Sequence, residues 1–142
     1  MNSKFKKLFP IEKPIIGMIH LAGKREDEKI IKAIEELKIF EEKGIDGAII
    51  ENYHGTIKDV LDVLENLPKL EKLVIGINIL GNPYHAFELT SKYNIKFIQF
   101  DSVQTQDLDI RKYNELKNKY PEIIILGGVG FKYIPPTGNF LN

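Results

Sequence analysis

Cysteine is absent from this chain, which excludes disulfides, thiolate metal sites and a cysteine nucleophile. Any chemistry therefore rests on carboxylates, histidine, lysine, amides or backbone groups. Neither sign of charge is in excess, since 20 basic side chains balance 20 acidic ones among 142 residues. No nucleic-acid partner is expected, because a neutral chain has no general attraction to a phosphate backbone, even with Lys4, Lys6 and Lys7 close together. Long apolar runs are missing as well. Ile15 to Ile19 and Ile123 to Leu126 fall far short of the roughly 20 residues a spanning helix needs. No signal peptide with an apolar core opens the chain. A cytoplasmic globular domain without stable membrane insertion is the expectation.

What is present is a regular alternation. Pro14 to His20 reads as a buried strand, a short apolar run behind a proline. From Glu26 to Lys43, Ile30, Ile34, Leu37 and Phe40 recur at helical spacing before Gly44 supplies a stop. Ile45 to Ile50 is a second strand. Thr56 with Asp59 forms a capping-box pattern for a helix carrying Ile57, Val60, Leu61 and Leu64 and ended by Pro68. Leu73 to Ile79 is a third strand, and Asn82 and Pro83 are expected to open a third helix running to Tyr93. Phe97 to Asp101 is a fourth strand. A helix marked by Ile110, Tyr113, Leu116 and Tyr120 stops at Pro121, before a fifth strand from Ile123 to Leu126. Residues 1–13 read as an N-terminal extension whose Phe5, Leu8 and Phe9 plug or flank one end of the domain.

Strand–helix units of about 24 to 30 residues with no hairpin between them imply a parallel sheet with right-handed crossovers. The expected fold class is α/β of the (β/α)8 TIM-barrel type, with about five strands in this chain and neighbours in sequential order. A flavodoxin-like doubly wound sheet is the alternative. Two features favour the barrel. The first strand lacks a glycine-rich phosphate turn, and polar residues recur at the carboxyl ends of successive strands, which in a barrel ring one mouth. Eight units need over about 200 residues, so the chain reads as part of a barrel, with residues 131–142 a loop after the fifth strand. Such an arc is expected to self-associate or to join a complementary fragment.

The strand ends supply the candidates. Glu51 and Asp101 suit a general base and acid, or else a pair of carboxylates bracing loops. His20 suits proton transfer near neutral pH, or a histidine satisfied by backbone. Asn52 and Asn78 can orient hydroxyls of a ligand, or tie down turns. Lys132 can neutralise a phosphate, or lie solvated in a loop. Gly128 and Gly130, with Gly127, can expose amides to an anion, or merely make a tight strand exit. His54 lies in a loop, and His85 is expected to face solvent. No pair of ligands at i and i+2 or i+4 supports a metal centre.

IIGMIHL from Ile15, DGAIIENY from Asp46 and GINIL from Gly76 with Asn82, in this order, resemble the BtpA/SgcQ family. FIQFDS from Phe97 extends the likeness. The resemblance implies a ribulose-phosphate-binding-type barrel that takes a small phosphorylated sugar or nucleotide-like metabolite. Phosphoribosylanthranilate-isomerase-like chemistry, as an isomerase or lyase, would follow from it. The family is named for a photosystem I biogenesis protein, which implies instead a non-catalytic assembly or stability factor for a membrane complex. The chain departs from the family pattern in its short charged stretch from Ala22 to Glu28. It also has Gln99 and Asp101 where the family has Arg and Asn, and keeps only Lys132 of a fifth-strand Asp, His, Lys, His pattern.

Overall fold

A computed structural model describes residues 3–131, 135–136 and 139–141. The elements are α1 (Ser3–Leu8), β1 (Ile16–Ile19), α2 (Glu26–Lys43), β2 (Gly47–Glu51), α3 (Ile57–Glu65), β3 (Val74–Asn78), α4 (His85–Lys92), β4 (Phe97–Phe100), α5 (Ile110–Lys119) and β5 (Ile124–Gly127). A short 3-10 turn, Thr105–Asp107, precedes α5.

Local signals account for most of these boundaries. Glu26, Asp27 and Glu28 sit at the positive end of α2 and Lys43 at its negative end, while Gly44 terminates the helix at φ 73, in the left-handed region that glycine enters freely. Thr56 and Asp59 close the expected capping box, each side chain accepting from the other residue's backbone amide. The third helix starts later than Pro83. The amides of His85 and Ala86 bond to the carbonyls of Asn82 and Pro83 in a tighter turn, and no side chain caps α4. Asn82 is thus a turn residue, not a cap.

All five strands pair in parallel in the order β1-β2-β3-β4-β5. Sequential order excludes the doubly wound alternative, in which the first strand lies inside the sheet. The protein is an α/β arc of barrel type. On one face Ile19, Ile50, Ile77 and Phe100 pack against Leu37, Val60, Val63, Phe87 and Tyr113 of the crossover helices. On the other face Ile49, Phe97 and Ile124 surround Phe9, which α1 delivers to the amino-terminal end of the sheet. Phe9 is 2% exposed and meets Phe97 edge-on, with ring centroids 5.6 Å apart. This floor leaves the carboxyl ends of the strands as the open end of the concave face. Beyond β5, residues 139–141 are not plain loop. They lie antiparallel to residues 103–105, through Thr105 N–H to Asn139 O and Leu141 N–H to Val103 O. Among the described residues no helix is long and apolar enough to cross a membrane.

One brace went unnoticed in the sequence. Glu41 near the end of α2 accepts from the amides of Glu71, Lys72 and Leu73, at 2.7 to 3.3 Å, and so fixes the approach to β3. Burial disfavours its charged form, but the Leu73, Glu71 and Lys72 amides outweigh that and hold its carboxyl below the usual carboxylate range. A depressed folded pKa means that the stabilisation is complete above the unfolded pKa and disappears as pH falls through the folded one. Glu41→Gln should cost about 1–2 kcal/mol at neutral pH, a discounted figure because the carboxylate is half-buried. In urea melts its deficit should vanish as both proteins are taken to strongly acid pH. A constant deficit would contradict the charge-assisted brace.

Candidate active site

Because side chains alternate along a strand, only every second residue near a strand end faces the concave side. The register pairs Met18 with Ile49, Glu51 with Asn78, and Gln99 with Leu126. His20 stands just beyond β1 and Asp101 just beyond β4. Four of the residues singled out in the sequence meet there. His20 Nε2 is 3.2 Å from Glu51 Oε2. Asn78 Nδ2 donates to Glu51 Oε1 at 2.8 Å and to Asp101 Oδ1 at 2.9 Å. Gln99 Nε2 makes a longer contact of 3.4 Å to the same Asp101 oxygen. The result is a polar chain across the ends of four adjacent strands.

Exposure separates the members. The Glu51 side chain is 2% exposed and that of His20 is 45% exposed. Glu51 is therefore at the base of the chain and His20 at its open end. A buried carboxylate needs partners, and the imidazole and the Asn78 amide supply them. Since a carboxylate only accepts, the nearness of Nε2 to Glu51 favours a proton on that nitrogen, which would leave Nδ1 as the acceptor. The His20 ring lies 5.1 Å from that of Tyr53, which in turn meets His54 edge-on at 4.6 Å. The backbone is bent to achieve this. Leu21, immediately after His20, is the only non-glycine residue with positive φ (58) among the described residues and is almost wholly buried. A left-handed leucine costs on the order of 1 kcal/mol.

Three members of the chain, His20, Glu51 and Gln99, border an open cavity of about 780 Å³, lined also by Met18, Tyr53, Leu126, Gly128 and Phe131; Asn78 and Asp101 are not part of that lining. Gln99 and Tyr53 were not singled out in the sequence as ligand-facing. The two-residue alternation that places Glu51 inward also places Gln99 inward and would have found it.

Other candidates fall outside the cluster. Asn52 points away from it, because adjacent residues face opposite sides. Its carboxamide is engaged by the backbone of Leu80, donating to the carbonyl at 3.3 Å and accepting from the amide at 2.7 Å. Asn52 thus takes the second of the two roles open to it, a turn brace. Gly128 lines the cavity, but its N–H bonds to Phe100 O at 2.9 Å and is not offered to an anion. Its lack of a side chain has a packing reason, since a Cβ there would lie 2.2 Å from Asp101 O. Gly130 takes φ 61 in a tight exit beside Pro136 and does not border the cavity. Lys132 lies outside the described residues. His85 is half-buried, with Nδ1 3.5 Å from Glu88, away from the cluster. Among the described residues no group of three His, Asp or Glu side chains is close enough to hold a metal ion.

No protein-family model matches the chain, and no curated protein matches it.

Proposed function

We propose that the mouth of the sheet is an active site that moves a proton on a small phosphorylated sugar or nucleotide-like metabolite, as an isomerase or lyase would. The observation that carries this reading is the His20–Glu51–Asn78–Asp101 chain beside an open cavity at the carboxyl ends of parallel strands, where barrel active sites occur. His20 is the group that meets the substrate, taking a proton at Nδ1. Glu51 holds the imidazole in the required tautomer and offsets the charge it acquires. Asn78 fixes Glu51, and Asp101 fixes Asn78. The resemblance to the BtpA/SgcQ family supports the same reading, because its three motifs end at or near His20, Glu51 and Asn78.

A second reading, a non-catalytic assembly factor that forms homo-oligomers or joins a complementary barrel fragment, has one observation in its favour. Ile15, beside β1, is 61% exposed at the edge where β1 has no second neighbour among the described strands. One experiment separates the two. The chain is titrated with sugar phosphates and nucleotides, following melting temperature and amide resonances, with its mass tracked by light scattering. The enzyme reading expects a metabolite that stabilises the protein, by about 2.7 kcal/mol at a hundredfold excess over Kd, and shifts the resonances around His20. An indifferent protein that associates through its β1 edge would replace it with the assembly reading.

A further inference from the structure

A histidine that meets substrate must keep its ring accessible, so burial of the ring cannot hold it in place. The His20 side chain is 45% exposed, and its orientation has to come from its backbone and its neighbours. Two loops at the mouth supply this, residues 20–25 after β1 and 52–56 after β2. The amide of His54 donates to His20 O at 3.0 Å and joins the loops at the histidine itself. One residue on, the left-handed Leu21 sends its side chain into the core, where it is 1% exposed. Gly55 leaves the room for it: a Cβ there would stand 3.0 Å from Leu21 Cβ, 3.1 Å from Leu21 Cδ1 and 2.8 Å from Asp59 Oδ2. Gly55 is not among the residues with positive φ, so its missing side chain provides space and not backbone freedom. Asp59 Oδ2 in turn accepts from the Thr56 amide at 2.7 Å and from its hydroxyl at 3.1 Å, with Lys29 Nζ of α2 3.8 Å away. The capping box of α3 thus does more than start a helix, because it fixes the surface on which Leu21 rests.

Resting on the reading of His20 as the group that meets the substrate, we infer that Leu21 and Gly55 are positioning residues for that histidine. A strained backbone such as that of Leu21 persists only where its surroundings over-determine it, and such strain collects where a side chain has to be aimed. With Leu21 anchored over Gly55 and His20 O held by His54, the His20 backbone has one direction in which to send its ring, and Nε2 stays on Glu51. Without the anchor the loop relaxes, the ring swings off Glu51 and either nitrogen can carry the proton. Neither Leu21 nor Gly55 lines the cavity, so both act through His20 alone.

The test needs no substrate. Long-range ¹⁵N correlation reads the His20 ring and hydrogen exchange reads the His54 amide, in the native 142-residue chain and in four variants. Leu21→Gly keeps the left-handed backbone and removes the anchor. Gly55→Ala pushes the anchor out. Leu21→Met refills the space, and Leu89→Ala, in the same core but on α4, controls for general destabilisation. Leu21→Gly and Gly55→Ala are expected to change the ring from mainly Nε2–H to a mixture of tautomers, and to speed exchange of the His54 amide by roughly tenfold beyond any change in global stability. Leu21→Met and Leu89→Ala should keep the native ring signature. A native ring in Leu21→Gly or Gly55→Ala, or a ring disturbed equally by Leu89→Ala, would overturn the assignment. So would a His54 amide that exchanges in the native chain as fast as an open loop, a result that stands even if a variant fails to fold. Each of these outcomes leaves the metabolite reading intact. That reading falls on the ligand titration, whose failure would leave Leu21 and Gly55 as the brace of the His20–Glu51 pair.

Discussion

Glu51→Gln is expected to lower turnover by about 10³- to 10⁴-fold while leaving the fold and the affinity for substrate nearly intact. The amide keeps the shape of the carboxylate, and its oxygen still accepts from Asn78. Its nitrogen side, however, presents a donor to His20 where Glu51 Oε2 now stands 3.2 Å from Nε2. The imidazole must then carry its proton on Nδ1, the nitrogen that has to receive one from the substrate. Loss of the correct tautomer costs about 10⁴ in enzymes built on an acid–histidine pair. Two measurements check this. Product formation follows the metabolite found by titration, and long-range ¹⁵N correlation of the His20 ring reads the tautomer directly, with Nε2–H expected in the native chain and Nδ1–H in the variant. Unchanged turnover together with an unchanged tautomer would dismiss Glu51 as the positioning residue.

Asn78→Asp should be the most destabilising conservative change in the molecule, by about 3–5 kcal/mol at neutral pH. Asn78 gives one hydrogen to each of two carboxylates, 2.8 and 2.9 Å away, and is itself 1% exposed. The substitution removes both donors and adds a third carboxyl between the first two; stranding a charge in the interior without its partner costs about this much. Like charges at such separations raise carboxyl pKa values in the folded state. The folded protein then binds more protons than the unfolded chain, so the variant's stability should rise as pH falls towards the ordinary carboxylate range and sink as pH rises. Of a total stability of about 5–15 kcal/mol, such a loss leaves a substantial unfolded fraction. Urea midpoints at pH 7.5 and pH 5 test it. A midpoint equal to that of the native chain at pH 7.5 would mean that Asn78 does not mediate between the two carboxylates.

The sequence by itself determined the five strands, the helices between them and their order; the short helix α1 inside the N-terminal extension was not among them. The helix from Glu26 to Lys43 has the bounds its periodicity implied, and the Thr56–Asp59 cap and all five strands stand within about two residues of their expected places. These features are local, set by side-chain spacing of 3.6 or 2 and by capping chemistry among residues a few positions apart. Parallel order follows as well, because short right-handed crossovers leave little else open. The tertiary structure alone decided which polar residues meet. Glu51 and Asn52 are neighbours in sequence, yet one joins the His20 chain and the other braces Leu80, because successive side chains leave a strand on opposite faces. Asn78 links groups 27 and 23 residues away, Glu41 reaches amides 30 to 32 residues away, and the N–H of Gly128 is spent on Phe100. None of these follows from composition or periodicity. Each depends on the relative register of separate strands and on where a helix end docks, and a slip of one residue would turn the whole cluster to the other face.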